Sequence, residues 1–98
     1  MAVKVIIKRI VPEDQARKII PLFRQIRKTA EGQQGYISGE TLRNLKNKQE
    51  FIIISNWEAS KNWEEWMTSK DWENLQKEVD TLLDGDTEYE IYHYGYIE

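Results

Sequence analysis

Phe51-Ile52-Ile53-Ile54-Ser55-Asn56-Trp57-Glu58-Ala59-Ser60-Lys61-Asn62-Trp63-Glu64-Glu65-Trp66-Met67 is a strand that runs into a helix, and it carries three of the chain's four tryptophans. The fourth, Trp72, follows five residues later. The first seven residues are rich in β-branched and aromatic side chains, which fit a pleated, half-buried surface. Beyond Ser60 the tryptophans recur three apart, at Trp63 and Trp66, which places them side by side on one helical surface. Tryptophan combines the largest apolar side chain with one N–H donor, so four close together build either a core or the wall of a pocket for a flat ligand.

Working outward, Val3 to Val11 reads as a strand that stops at Pro12. Pro12-Glu13-Asp14 suits a helix start, and Ala16, Ile19, Ile20, Phe23, Ile26 and Ala30 recur at helical spacing up to Gly32. Pro21 inside that helix is expected to kink it or to leave one carbonyl unpaired. Gly35 to Asn44 and Glu50 to Glu58 read as a hairpin around the polar turn Leu45-Lys46-Asn47-Lys48-Gln49. Ser60 is placed to cap a helix running through Met67, with a break near Ser69. Trp72, Leu75, Val79, Leu82 and Leu83 mark the inner face of a following helix, which Asp84-Gly85-Asp86 ends. Glu88 to Tyr96 is a last strand.

Strand, helix, two strands, helix, strand defines an α+β fold: a ferredoxin-like antiparallel sheet with two main helices on one face. The strands are apolar on both sides, Val5 and Ile7 against Ile6, and Ile52 and Ile54 against Phe51 and Ile53. Two helices cover only one of these faces. A second copy of the chain packed sheet to sheet is the simplest cover for the other, so a homodimer is expected.

Ninety-eight residues make one domain, spanning 1 to 98. A formal charge of -3, with basic residues scattered, gives no electrostatic basis for binding nucleic acid or an anionic membrane. The absence of cysteine excludes disulfide frameworks, thiolate metal sites and cysteine nucleophiles. No signal-peptide pattern or membrane-length apolar run is present, and a cytoplasmic location is expected. The glycines Gly32, Gly35 and Gly39 lead into a strand rather than a helix, so they do not form a phosphate cradle.

Gly35-Tyr36-Ile37-Ser38-Gly39-Glu40-Thr41-Leu42-Arg43-Asn44, then Ser55-Asn56-Trp57-Glu58-Ala59-Ser60, with Trp66 nine residues beyond Trp57, resembles the antibiotic biosynthesis monooxygenase (ABM) domain family. The resemblance implies a dimeric α+β barrel of two ferredoxin-like protomers, each with a pocket between helices and sheet. It further implies activities ranging from cofactor-independent oxygenation of quinols or polycyclic aromatics to haem degradation. The haem degraders use an asparagine at the end of the first strand, a tryptophan on the second helix and a histidine further along it. Their tryptophan corresponds to Trp66, whereas the histidine position carries Gln76 and the asparagine position falls near Lys8. Glutamine is a poor ligand for haem iron, which makes haem degradation the third reading.

Trp66, with Trp63, is the first choice for the wall of a substrate pocket, against the alternative that both simply pack the core or a dimer contact. Trp72 is in register with Leu75 and Val79 and reads as core; Trp57, at a strand end, reads as packing at the domain edge. His93, the only histidine, is the candidate general base, with a hydrogen-bonded strand histidine as the alternative. Asn56 or a tyrosine hydroxyl such as Tyr92 would hold the developing anion, and Gln76 would line the substrate site. His93 shares a strand face with Tyr89 and Ile91, and Tyr92 shares the other with Tyr94 and Tyr96; which of them meets the pocket is left open. The leading expectation is a monooxygenase that needs no metal, flavin or other cofactor and acts on a small electron-rich aromatic partner. The alternative is a non-catalytic dimer that binds a small ligand or serves a structural role.

Overall fold

The computed structural model describes residues 2–83 and 85–94. Four antiparallel strands, β1 (Val3–Ile10), β2 (Tyr36–Arg43), β3 (Glu50–Trp57) and β4 (Glu88–His93), form one sheet in the order β2-β3-β1-β4. The helices are α1 (Ala16–Glu31), α2 (Ser60–Met67) and α3 (Lys70–Asp80). This is the expected α+β, ferredoxin-like arrangement.

Period-two alternation sets the layers. Along β1 the residues alternate strictly between buried and half-buried, with Val3, Val5, Ile7 and Arg9 turned to the helices. Their register partners Trp57, Ser55, Ile53 and Phe51 on β3 share that side. From α1 come Ile19, Phe23, Ile26 and Ala30, and from α3 Trp72, Leu75 and Val79, to complete the core. Trp57, Trp63, Trp66 and Trp72 are all at most 5% exposed. Trp57 is therefore interior rather than at the domain edge. The indoles meet edge to face, Trp57 with Trp63 at 5.9 Å between centroids, Trp63 with Trp72 at 5.7 Å and Trp66 with Trp72 at 5.7 Å.

Local departures from the sequence reading have local causes. The chain after Pro12 first makes a single 3-10 turn over Glu13–Gln15 before α1 begins. Pro21 lies within α1 on its exposed side, where the missing N–H leaves the Arg17 carbonyl to solvent rather than ending the helix. Ser60 is already inside α2 and makes no cap, the N-cap position belonging to Ala59. Ser69 is the capping serine, its Oγ accepting the Trp72 N–H at 3.2 Å. α3 stops at Asp80, so Leu82 and Leu83 pack on the core from the turn that follows and not from the helix. Of the expected last strand and the turn before it, Asp84, Gly95 and Tyr96 lie outside the described residues.

The opposite face of the sheet carries Ile6, Ile10, Ile52, Ile54, Leu42 and Tyr92 among Lys4, Lys8, Glu50 and Glu90, and none of the described helices lies over it. Gly35 enters β2 with φ of 86°, and a side chain there would overlap Asn62 of α2. Glycine at this position lets the α2 start close on the hairpin. Among the described residues no helix is long and apolar enough to cross a membrane.

The capping assignment has a direct check in urea unfolding. Ser69→Ala should lose about 1 kcal/mol, whereas Ser60→Ala should stay within about 0.5 kcal/mol of the natural chain. Equal losses at the two serines would reverse the assignment.

Candidate functional site

Between the helices and the β1, β3 and β2 part of the sheet lies a cavity of about 40 Å³. Trp63, Trp66 and Trp72 form its helical wall, Phe23 and Ile26 of α1 another, and Ile7, Arg9, Ser55 and Trp57 its floor. Ala30, Gly39, Ile53 and Ile54 also line it with Arg27, Tyr36, Glu40 and Thr41; Arg27 and Thr41 are solvent-exposed, which places the mouth between α1 and β2. The space takes about three water-sized groups.

The floor is polar at two points. Trp57 Nε1 donates to Ser55 Oγ at 3.0 Å, which uses the indole N–H inside the core. Arg9 is 1% exposed, and its Nη2 donates to Gln76 Oε1 at 2.7 Å. Gln76 in turn donates through Nε2 to Asp80 Oδ1 at 2.7 Å. The Phe23 ring lies 5.3 Å from the guanidinium carbon. Arg9 Nε has no hydrogen-bond partner among the described residues. Burial is the largest influence on this group and lowers its pKa to about 10, with Tyr89 and Asp80 opposing. Arg9 therefore remains a cation at neutral pH, buried in a mainly apolar cavity floor.

At the mouth, Tyr36 packs edge-on against Trp57 at 5.3 Å. Its hydroxyl sits over Gly39, where a Cβ would come within 2.6 Å of it. A bulge between Tyr36 and Ser38 turns both Tyr36 and Gly39 to the helix side although they are three residues apart. Burial raises the Tyr36 pKa, so the phenol is neutral at pH 7 and is a donor.

The expected site residues do not converge. Trp63 and Trp66 line the cavity, as does Trp72, which was read as core alone. Gln76 stands behind Arg9 rather than in the lining. Asn56 faces the other side of the sheet, donating to Ser38 Oγ at 3.0 Å and accepting from the Tyr94 hydroxyl. Tyr92 pairs with Lys4 and shares that open face, 49% exposed. His93 is on the helix side with Tyr89 and Ile91, but it is exposed on the edge strand β4, which contributes nothing to the cavity. The contacts of Trp63 with both Trp57 and Tyr89 fill the space between that strand and the cavity. Sequence reading passed over Arg9, Tyr36 and Ser55; for Arg9 the available signal was a charge at the fourth inward position of an apolar strand.

Haem does not fit these residues. The position that would need an iron ligand holds Gln76, whose amide is engaged by Arg9 and Asp80 and does not line the cavity under Trp66. Among the described residues no group of three or more His, Asp or Glu is arranged to hold a metal ion.

A helix-covered antiparallel sheet with an aromatic cavity beneath the second helix defines a class of small α+β domains. Residues 2–78 match the family model described as antibiotic biosynthesis monooxygenase, and the chain belongs to that family. Similar solved structures share the fold at low identity. A conserved protein from Methanosarcina mazei Go1 is 18% identical with a TM-score of 0.89, covering 94% of this chain and 91% of that one. Rv0793 from Mycobacterium tuberculosis is 14% identical with a TM-score of 0.88, covering 99% and 98%. SnoaB, a cofactor-independent oxygenase from Streptomyces nogalater, is 12% identical with a TM-score of 0.86, covering 98% and 95%. No curated protein matches the chain in sequence.

The Arg9 environment predicts unequal costs for its two ends. Gln76→Leu leaves the buried guanidinium without its hydrogen bond and should destabilise the fold by about 2–3 kcal/mol. Arg9→Met removes the buried charge and should be close to neutral, within about 1 kcal/mol. Thermal melts of both variants measure the difference, and a larger loss for Arg9→Met would contradict it.

Proposed function

We propose that this chain is a monooxygenase of small electron-rich aromatic compounds that uses no cofactor, working as a homodimer joined through the open sheet face. The single observation that supports it is the indole wall of Trp63 and Trp66 over a mainly apolar cavity, in a chain whose fold is shared by SnoaB, a cofactor-independent oxygenase. In such chemistry the ionised substrate supplies both electron pairs. Its reactive carbon combines with dioxygen, and loss of water leaves one oxygen atom in the product. The protein contributes a dry aromatic site that positions the ring, together with groups that stabilise the anion.

Trp66 is the stacking wall, Tyr36 the hydroxyl donor at the mouth, and Arg9 the cation at the floor. A ring needs more room than the 40 Å³ present, since a cavity of about 150 Å³ is what takes benzene. Substrate therefore enters by turning Arg27 and Tyr36 outward. The base role expected of His93 has no geometric support, because β4 does not reach the cavity. The small cavity also supports a second reading, a dimer that binds a ligand at the mouth without oxygenating it.

Oxygen uptake with a panel of quinols separates the two readings. Turnover is expected to fall at least about tenfold in Trp66→Phe, a loss of about 1.4 kcal/mol in transition-state stabilisation, and to change less than about twofold in His93→Ala. No uptake with any quinol leaves the binding reading. For the dimer, Ile6→Glu puts a charge on the apolar open face proposed as the interface, and sedimentation should show a monomer; a retained dimer would place the interface elsewhere.

A further inference from the structure

We propose that Arg9 makes the cavity floor an oxyanion subsite, which takes the phenolate or carboxylate oxygen of an aromatic ligand. This rests on the reading that the cavity receives a small aromatic, and adds the charge that ligand carries.

Arg9 is 1% exposed, lines the cavity and has an Nε–H with no acceptor among the described residues. Its one hydrogen bond goes to the neutral amide of Gln76, and among the described residues it forms no ion pair. A desolvated guanidinium satisfied by a single neutral acceptor is costly to bury. Structural arginines at such depth normally find a carboxylate, because the pair offsets part of the desolvation. Here the counter-charge is one residue removed, at Asp80 behind Gln76. The carboxamide fixes one side of the guanidinium and leaves its buried Nε–H without an acceptor among the described residues, a donor that an oxyanion reaching the floor would satisfy.

The space suits an anionic head better than a whole ligand. About 40 Å³ admits an oxygen or a carboxylate beside Arg9, with the ring toward Trp66, Tyr36 and the mouth. Arg9 then favours the ionised form of a bound phenol. A cavity with this cation in its floor has no need of a nearby base to keep the substrate as an anion, which accords with the distance of His93 from the site.

The test uses two probes with different anions. 4-Nitrophenol, whose phenolate is yellow, is titrated with pH in the presence and absence of excess protein. Its ionisation constant should rise about tenfold on binding. In Arg9→Met the apolar cavity should favour the neutral phenol and lower that constant, while Arg9→Lys keeps part of the rise. Benzoate binding is followed through the indole N–H resonances of Trp63 and Trp66, with benzamide as the neutral control. Benzoate should bind at least about tenfold better than benzamide, and that preference should vanish in Arg9→Met. Dependence on Arg9 for nitrophenol alone identifies a phenolate site, and for benzoate alone a carboxylate site. If neither probe depends on Arg9, or neither binds, the subsite is overturned. Thermal melts confirm that each variant is folded. Arg9-dependent binding without oxygen uptake removes only the oxygenase reading; uptake unchanged by Arg9→Met removes only the subsite.

Discussion

The edge-to-face chain of indoles is the contact on which the rest of this structure depends. Trp63 touches Trp57 of the sheet and Trp72 of α3, so one side chain joins the hairpin, α2 and α3. α2 has only eight residues and no side-chain cap. A helix that short is not stable on its own, so it is held by what it buries. Burying two tryptophans on one face gives α2 its place, and Ser69 then restarts the chain as α3 at the angle that brings Trp72 against Trp66. The same packing gives the cavity its aromatic wall. Core and candidate site are therefore one set of side chains, and the choice between filling and wall dissolves: Trp63 and Trp66 are both.

The fold was legible because its signals are local. Alternation along β1 and β3, helical spacing from Ile19 to Ala30 and the break at Ser69 each need only a few neighbouring residues. Alternation also separated Ile52 and Ile54 from Phe51 and Ile53 correctly. It could not say which set met the helices until register was known, and that is what placed Asn56 and Tyr92 on the open face. In β2 the rule itself breaks. The bulge between Tyr36 and Ser38 adds a residue, so Tyr36 and Gly39 look the same way despite odd spacing. Nothing in the run Tyr36-Ile37-Ser38-Gly39 announces that extra residue.

Arg9 and Gln76 show the other kind of limit. They are 67 positions apart, and their hydrogen bond exists only because the topology lays β1 beneath α3. Matching Gln76 to a histidine position treated it as a substrate contact, whereas its amide serves a charge inside the floor. A clue was present all the same. Inward positions of β1 run Val3, Val5, Ile7, Arg9, and a strand that turns three aliphatic side chains to the core turns the fourth there too. Position 10 could not take the charge inward without reversing every residue before it. A cation at an obligatory inward position needs acceptors for its N–H groups, and within the described residues this chain supplies one, the Gln76 amide. The sequence period that builds the sheet thus also places one positive charge beside the tryptophans, and the electrostatics of the site follow from the same alternation as its walls.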